Sequence, residues 1–597
     1  MHMILLASTL LLGAQGGMDP NTLVYFDMQA CLADLPRDTV LHYDVLKFVA
    51  SLQGLVNREQ PRLLMRFLEG SGQDGPINLD DYWLELLQRG WLKDRPIQRE
   101  SSLERLFELF PKAMTGAVLW DPKVPATANV AATVCGVEGW LPVRAGSALY
   151  DRVVAGGPKI PVKLDLVGRF KGLETGSAKC DAYLWAKREY LDKGRCHPAL
   201  MAYYIDAYTQ EPSKPGFYYN DLHNATLANH DYYIANRAFF FDLGVWPDET
   251  PVDDPNQPLG ADRNTLIALL QAQYRQSEGK RMITVGGFVP WNLKYTNHGP
   301  AGGKHAPVPT EWEYAALLSA HNAIMDADAL GLACLTNASA YQHHPLRREY
   351  RQNQRPVKQP LERKTYVLIY MGDYDSAAWL SRMIPQVWDD PVRGELPAAW
   401  AFNPNLSDRV PYVFDHIYNT KTPNDWFIAG DSGAGYLNPN LLTGTRLESG
   451  IPDALDLWVA HNMAYYRRFD YAITGFVING FHGDMPLAVQ EAYAQFSRDG
   501  VGMQLGFEQP IVRQTPFLRH ASDIYPNLNN LKETAAQMAR FARPEKPQFL
   551  IFRWILQKPS TIKAVRDLLA REYPGENWEF CDPYTFFGLY RRSFPSK

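Results

Sequence analysis

The stretch 426-WFIAGDSGAGYLNP-439 begins as an apolar run and continues into a loop in which Asp431 and Ser432 lie among three glycines. The apolar part predicts a buried strand. Glycines let a backbone approach a ligand closely or take a positive φ, and loops that follow strands often carry the chemistry of a protein. A tight turn that happens to contain an Asp is the alternative interpretation. The residue types at the ends of the neighbouring strands indicate which interpretation is better, a functional loop or a tight turn.

Apolar runs like this one alternate with segments of amphipathic helical periodicity over residues 262–597. Eight strands alternating with helices are typical of a (β/α)8-like barrel. An open parallel sheet with crossover helices is the alternative fold. The runs that predict the strands are 281–288, 331–337, 365–373, 398–403, 426–431, 472–480, 501–508 and 548–554.

Two smaller units are predicted before this region. Residues 20–145 alternate short strands with helical periods, as in an α/β domain. Residues 146–258 are rich in aromatics and mostly helical in pattern, for example at 197–208, and include a strand-like run at 232–243. The proline- and acid-rich stretch 247–258 marks the boundary with the barrel. The predicted fold class is therefore α/β, with a C-terminal (β/α)8-like barrel preceded by an α/β domain and a helix-rich domain.

The composition is that of a globular protein of 597 residues, 46% hydrophobic and 21% charged, with a formal net charge of −5. This balance argues against nucleic acid as a partner. Residues 1–17 hold a short apolar run followed by small residues, which predicts a secretory signal peptide. The run is too short to cross a bilayer, since a span needs about 20 apolar residues. We therefore expect an exported protein, periplasmic or extracellular, without an integral membrane span.

Six cysteines are scattered along the chain without a CxxC motif. Cys180 and Cys196 are close enough in sequence to form a disulfide in an oxidising compartment. Isolated buried thiols that act as small apolar side chains are an equally good interpretation.

In a parallel barrel the active site lies where the strands end. Polar and aromatic residues recur at these positions, as a carbohydrate cleft requires, because aromatic rings stack on sugars and sugar hydroxyls need donors and acceptors. The predicted substrate-binding residues at strand ends are Asn337, Asn403, Ser432, Asn479, His482 and Arg553. The segment 290–314 adds Trp291, Lys294, Tyr295, His305 and Glu311, which could close over a ligand or form a rim packed against the N-terminal domains. Trp379 and Tyr436, with Trp291, are candidates for stacking on or positioning the sugar.

Five carboxylates near strand ends are candidates for the hydrolysis of glycosidic bonds, which commonly uses two carboxyl groups. Asp373 and Asp431 form the leading pair, and Asp375, Asp484 and Glu508 are reserves. Repulsion between Asp373 and Asp375 would raise the pKa of one of them, as a proton donor requires.

Each carboxylate also has a structural interpretation. Asp373 or Asp375 could cap the helix that is predicted from Ser376, or the two could bind Ca²⁺ or another divalent cation. Asp484 and Glu508 could be ordinary charges on a rim or an edge. There is no HExxH motif and no G-x-S-x-G motif, so the sequence carries no positive signal for a metal hydrolase or a serine hydrolase.

Several ordered segments resemble the GxGYxYP family of putative glycoside hydrolases. They are 51-SLQGLVNREQPRL-63, 120-WDPKVPATANVAATVCG-136, 291-WNLKYT-296, 310-TEWEY-314 and 433-GAGYLNP-439. Asp373 and Asp375 fall on the family's DGDN segment, where Tyr374 and Ser376 replace its Gly and Asn. Asn438 replaces the second tyrosine of the signature. The resemblance implies several N-terminal domains followed by a barrel-like C-terminal domain.

The predicted function is hydrolysis of glycosidic bonds in an oligo- or polysaccharide, without an organic cofactor. Two alternatives use the same residues: a glycan-binding protein without turnover, and a metal-dependent polysaccharide deacetylase or lyase. Loss of activity with a chelator would distinguish the last, because a glycosidase with two carboxylates needs no metal.

Overall fold

The computed structural model describes residues 19–595, apart from 68, 73–74, 205–228, 252, 289–294, 298–302, 330–336, 356–357, 447 and 544. The predicted signal peptide, Trp291, Lys294 and nearly all of the predicted strand 331–337 lie outside these residues. Among the described helices, none combines the length and the apolar character that a membrane span requires.

The strands, in chain order, are β1 (Leu23–Asp27), β2 (Leu63–Arg66), β3 (Glu69–Gly72), β4 (Gly75–Asn78), β5 (Ile97–Glu100), β6 (Ala117–Trp120), β7 (Leu141–Arg144), β8 (Val162–Asp165), β9 (Leu200–Tyr203), β10 (Phe239–Phe241), β11 (Ile283–Phe288), β12 (Ala323–Ala329), β13 (Thr365–Tyr374), β14 (Ala398–Phe402), β15 (Asp425–Asp431), β16 (Ile473–Val477), β17 (Gly500–Met503), β18 (Ile511–Val512), β19 (Thr515–Arg519), β20 (Ser522–Ile524), β21 (Gln548–Ile555) and β22 (Trp578–Cys581).

The α-helices span Met28–Ala33, Thr39–Val56, Leu79–Gln88, Leu103–Leu109, Thr127–Glu138, Ala148–Tyr150, Ala178–Ala186, His230–Ala235, Ala261–Gln276, Pro307–Ala320, Ala338–Tyr341, Ala377–Val387, Pro411–Thr420, Leu455–Phe469, Leu487–Phe496, Leu531–Ala539, Pro559–Glu572 and Pro583–Arg592.

The N-terminal half is built on small sheets. Two are parallel and three-stranded, in the orders β2-β1-β5 and β7-β6-β8, and a third is parallel in the order β10-β9-β11-β12. Strands β3 and β4 form an antiparallel pair. Parallel strands need helical crossovers, which cover the faces of these sheets and bury them.

The large sheet runs in the order β18-β19-β17-β16-β15-β14-β13-β21-β20, and β22 pairs with the first half of β13. Every pair except β18–β19 is parallel. The sheet curls, because β19 pairs with β17 while β20, only two residues later, pairs with β21. The predicted mixed α/β architecture with parallel sheets is confirmed, but no closed eight-stranded barrel is seen in the described part of the chain.

Apolar residues on the two faces of β13 pack into different cores. Val367, Ile369 and Met371 belong to one hydrophobic cluster, and Tyr366, Leu368 and Tyr370 belong to the other. Side chains alternate between the faces of a strand, so a strand buried on both faces is apolar throughout. This explains why 365–371 is an uninterrupted run and why its position was predicted correctly.

The first predicted barrel strand belongs to a different sheet. Strand β11 corresponds to the predicted run 281–288, but it pairs with β9 and β12 and not with the large sheet. The amphipathic pattern of residues 310–330 predicts one long helix, but the observed helix stops at Ala320 and strand β12 begins at Ala323. Short apolar runs suit a buried strand and a buried helix equally well, so periodicity alone did not separate them.

In two segments of the predicted helix-rich domain, the observed secondary structure also differs from the predicted one. Residues 197–208 read as helical, but Leu200–Tyr203 form the buried strand β9. The strand-like run 232–243 is split between the helix His230–Ala235 and strand β10. The wrong assignments have the same cause as before, since the apolar side chains of Leu200–Tyr203 and Phe239–Phe241 are buried, and burial suits a strand and a helix equally well. The domain boundaries themselves stay a prediction.

Candidate active site

Asp373 and Arg553 lie on neighbouring strands, β13 and β21, near their carboxyl ends. Nη2 of Arg553 donates a hydrogen bond to Oδ1 of Asp373 at 2.5 Å, and Nη1 donates to Oδ2 of Asp523 on β20 at 3.2 Å. The Asp373 side chain is 31% exposed and the Arg553 side chain 16%. One arginine therefore bridges two carboxylates that come from different strands, since the several N–H donors of a guanidinium can bond more than one acceptor.

The backbone at Asp373 is left-handed, with a φ of +66°. The pairing of β13 with β14 also shifts register between Met371 and Tyr374. A left-handed φ is costly for a residue with a Cβ, and such outliers cluster at functional sites. The helix that follows is capped by Ser376, whose Oγ accepts the N–H of Trp379 at 2.9 Å. Asp373 and Asp375 are thus not the caps of this helix.

Asp375 and Asp431 form a carboxyl pair. Asp431 is the last residue of β15 and is 3% exposed. The two side chains are hydrogen-bonded to each other, and burial raises the pKa of both. The charges of Asp431 and Asp373 raise the pKa of Asp375 further, while Arg553 opposes the rise at Asp431. Two carboxyl groups this close share a proton rather than both ionising.

Glu311 completes the group from a different part of the chain, the helix Pro307–Ala320. The hydroxyl of Tyr436 donates to its Oε1 at 2.6 Å. Burial raises the pKa of Glu311 to about 7; the hydrogen bond from Tyr436 and the charge of Arg553 oppose this rise, and Asp431 and Asp373 add to it. We call Glu311, Asp373, Asp375 and Asp431 the carboxyl cluster. Three of its carboxyl groups have a pKa that burial raises, and the fourth, Asp373, is ion-paired with Arg553.

The glycine-rich loop after β15 is buried over residues 431–439. Gly433 and Gly435 have φ angles of +127° and +125°, and a Cβ on Gly435 would lie 2.5 Å from Cδ1 of Ile324. Backbone hydrogen bonds join Tyr436 and Met325 in both directions, at 2.8 and 3.3 Å. The glycines therefore allow close packing against β12, which places the Tyr436 hydroxyl on Glu311.

Ser432 and Asn403 support the loop and the end of β15. Ser432 has a φ of +62°, and its Oγ donates to the carbonyl of Leu437 at 2.6 Å and accepts the N–H of Ile478 at 3.2 Å. Nδ2 of Asn403 donates to the backbone carbonyl of Asp431 at 3.4 Å. Both side chains are fully buried, and these contacts hold the backbone that carries Asp431.

Two predicted substrate-binding asparagines make backbone contacts elsewhere. Nδ2 of Asn479 donates to the carbonyl of Gly483 at 2.8 Å, and its Oδ1 accepts the N–H of Leu505 at 3.1 Å. Asn337 bonds the backbone of Met65 in both directions, at 2.7 and 2.8 Å. The first closes a loop, and the second ties the N-terminal sheet to the rest of the chain.

Asp484, Glu508 and His482 are exposed. Strand β17 ends at Met503, so Glu508 lies five residues beyond it, and its N–H donates to the carbonyl of Met485 at 3.2 Å. Trp379 is half-buried on the helix Ala377–Val387. In the described part of the chain, none of these four side chains has a hydrogen bond, ion pair or ring contact with the carboxyl cluster.

Tyr295 and His305 belong to other contacts. Nζ of Lys179 donates to the Tyr295 hydroxyl at 2.7 Å inside a buried network. The His305 ring stacks on Trp246 with 3.8 Å between ring centroids, and its Nε2 lies 2.8 Å from Oδ1 of Asp248. Neither residue contacts the carboxyl cluster.

Asp523, which Arg553 binds beside Asp373, was not predicted as a site residue. Strand β20 has only three residues, and its apolar pattern is too short to be recognised.

Within the described ranges, no group of three or more His, Cys, Asp or Glu side chains has the geometry to hold a metal ion. The described cysteines are free, buried thiols; these are Cys31, Cys135, Cys180, Cys196 and Cys581. Burial raises the pKa of the Cys180 and Cys196 thiols to about 12, so they act as apolar side chains.

Comparison with known proteins agrees with this architecture. Residues 363–591 match the family described as "GxGYxYP putative glycoside hydrolase C-terminal domain", and residues 114–194 match "GxGYxYP_N second domain". A crystal structure of a putative hydrolase from Bacteroides thetaiotaomicron VPI-5482 has a similar fold, with a TM-score of 0.65, 16% identity and 96% of each chain covered. A search of curated proteins found no match.

The parallel sheets and the similar fold of this crystal structure define a mixed α/β protein, and the matched C-terminal domain carries the description putative glycoside hydrolase. More particularly, the chain belongs to the GxGYxYP family of putative glycoside hydrolases, because both family domains are found in it in order.

Proposed function

We propose that this protein hydrolyses glycosidic bonds with the carboxyl cluster as its catalytic centre. The observation that supports this most strongly is the contrast between Glu311, whose pKa is raised to about 7, and Asp373, which is ion-paired with Arg553. Glycosidases need one protonated and one ionised carboxyl group on either side of the scissile bond. Environments that differ in this way identify an acid and its partner.

Glu311 is the proposed general acid. The Tyr436 hydroxyl occupies Oε1, so Oε2 is the oxygen that can present the proton to a leaving group. Asp373 is the proposed carboxylate that faces the sugar, since it is 31% exposed whereas Asp431 is almost completely buried. Arg553 orients Asp373 and stabilises its negative charge.

The pair Asp375–Asp431 has a supporting role in this proposal. Hydrogen-bonded carboxyl groups are too close to act as the acid and its partner, because those two groups lie about 5 to 9.5 Å apart in glycosidases. The shared proton leaves about one negative charge between them, and that charge favours protonation of Glu311. The predicted leading pair Asp373 and Asp431 is thereby replaced by Glu311 and Asp373, with Asp431 as a positioning residue.

Two further expectations belong to this proposal. The protein acts outside the cytoplasm, as the apolar run in residues 1–17 predicts. Turnover continues in the presence of a chelator, because carboxyl groups alone supply the proton transfers and the stabilising charge.

The test compares Asp373→Asn and Glu311→Gln with Asp484→Asn, an exposed aspartate without a contact to the cluster. Release of reducing ends from a panel of neutral polysaccharides is measured with and without EDTA, and folding is followed by thermal unfolding. We expect Asp373→Asn and Glu311→Gln to lose at least about a hundredfold in kcat/KM, the usual scale for a positioned acid or base. Asp484→Asn keeps its activity. Full activity of Asp373→Asn would refute the assignment.

A further inference from the structure

Two aromatic side chains are conspicuously exposed. Phe481 is 56% exposed and Tyr525 is 68% exposed, whereas the other large apolar side chains with comparable exposure in the described part of the chain are aliphatic. Exposed aromatic rings mark binding surfaces more often than scattered leucines or valines do. Whether these two rings belong to the same binding surface as the carboxyl cluster depends on where each ring lies relative to it.

Tyr525 follows β20 directly. Asp523, two residues earlier, is held by Arg553 at 3.2 Å. Partial burial and the charge of Asp523 raise the pKa of the Tyr525 hydroxyl, and Arg553, Asp373 and Glu311 also act on it. The ring is thus open to solvent while its hydroxyl lies within electrostatic reach of the proposed acid and its partner.

Phe481 contacts the helix that carries Glu311 through Trp312. It follows β16 by four residues, and its ring meets the edge of Trp312 with 4.6 Å between centroids at 78°. Trp312 is the residue after Glu311 on the same helix, and it packs so closely on Gly480 that a Cβ there would lie 3.1 Å from Cγ of Trp312. Trp312 therefore braces Phe481 next to the helix that carries the proposed acid.

The order of the large sheet separates the two exposed rings. In the series β20-β21-β13-β14-β15-β16, Arg553, Asp373 and Asp431 come from strands that lie between those preceding Tyr525 and Phe481. A ligand that touches both rings would span the carboxyl cluster, so one ring would contact one sugar unit and the other ring a second unit.

The charge of the site selects the kind of sugar. Asp373, Asp523 and the pair Asp375–Asp431 carry more negative charge than Arg553 compensates. Like charges in a partly buried site repel strongly, so uronic acids and sulfated sugars are disfavoured. The C–H faces of uncharged sugars, by contrast, pack on the electron-rich faces of aromatic rings.

We infer that Tyr525 and Phe481, the latter braced by Trp312, are two sugar-stacking subsites that bind an uncharged oligo- or polysaccharide across the carboxyl cluster. This inference rests on the proposed function for the identity of the cluster, but its readout is binding and not turnover.

The experiment is affinity electrophoresis of the full chain in gels that contain xyloglucan, arabinoxylan, galactomannan or mixed-linkage β-glucan as neutral probes, and polygalacturonate or chondroitin sulfate as anionic probes. The variants are Tyr525→Ala and Phe481→Ala, with Leu528→Ala as the matched control. Leu528 is 71% exposed and follows Tyr525 by three residues. Both aromatic side chains are exposed, so neither change should impair folding.

We expect at least one neutral polysaccharide to retard the unaltered protein, and Tyr525→Ala and Phe481→Ala each to weaken this binding about tenfold. Leu528→Ala leaves it unchanged. The inference would be overturned if no neutral probe retards the protein or if the anionic probes retard it more strongly. It would also be overturned if all three variants bind as tightly as the unaltered protein. Binding that depends on the rings but comes without turnover would refute the proposed function and support the inference. Turnover that is unchanged in both Tyr525→Ala and Phe481→Ala would support the proposed function and refute the inference.

Discussion

At the scale of single residues, the contact between Tyr436 and Glu311 explains the tyrosine in the glycine-rich loop. The hydroxyl donates to Oε1 of Glu311 at 2.6 Å, and Tyr436 is only 1% exposed. It therefore offers no face for a sugar to stack on. Its hydrogen bond favours the ionised form of Glu311 and lowers the pKa that burial has raised.

The pH dependence of kcat/KM follows from this contact. If Glu311 is the acid, its protonated form is required, so activity is lost as the pH rises through about 7. Tyr436→Phe removes the hydrogen bond that lowers this pKa, and we expect the alkaline limb to move to higher pH. The measurement is a pH profile of both proteins on a neutral polysaccharide. A limb that stays in place or moves to lower pH would contradict the role given to Tyr436.

Residue types at strand ends were informative where the strand itself was recognised. Asp373, Asp431 and Arg553 follow or lie in long apolar runs, and the structure brings them together. Glu311 lies in a helix, so its place in the cluster could not be inferred from strand ends. Asp523 belongs to a strand of three residues, which leaves too little pattern to read.

At the scale of elements, the glycine-rich loop after β15 serves to pack the end of this strand closely against β12. Gly435 has a φ of +125°, and a Cβ at this position would lie within 3 Å of the Ile324 side chain. The apparent mobility of a sequence with three glycines is therefore misleading, because here the glycines permit close contact between two sheets.

Gly435→Ala is expected to destabilise the protein by about 3 kcal/mol, since it adds backbone strain to an overpacked contact. Gly575→Ala is the matched control, because nothing lies within 4 Å of the added Cβ. Denaturation with urea measures both changes. Equal free energies of unfolding of the two variants would show that the loop can shift to accommodate the added Cβ without loss of stability. A loss of activity in Gly435→Ala beyond its loss of stability would show that Tyr436 has moved.

At the scale of the whole molecule, the cores cross the predicted domain boundaries. One hydrophobic cluster contains Leu23, Leu64 and Trp83 from the N-terminal part together with β13, β14 and their helices. Nε1 of Trp83 donates to the carbonyl of Ser381 at 2.9 Å, and its ring meets Tyr412 at 4.7 Å. The N-terminal part thus supports the helices that surround the large sheet.

Trp83→Ala is expected to lower the free energy of unfolding by about 4 kcal/mol, the usual cost of removing a large buried side chain. Leu173→Ala serves as the control, because Leu173 is 89% exposed and its loss should cost less than about 0.5 kcal/mol. Tryptophan fluorescence during unfolding in urea follows both. A Trp83→Ala protein as stable as the control would mean that the two parts are held together by other contacts.

The sequence by itself determined the α/β class, the position of most strands in the large sheet and the family, because uninterrupted apolar runs and short ordered motifs are local features. Only the tertiary structure decided that β11 joins a different sheet, that the glycine-rich loop packs on β12, and that Glu311 lies within electrostatic reach of Asp431 and Arg553. The reason is that strand partners and pKa values depend on contacts between residues far apart in the chain. A local pattern shows which residues are buried but not which residues they are buried against.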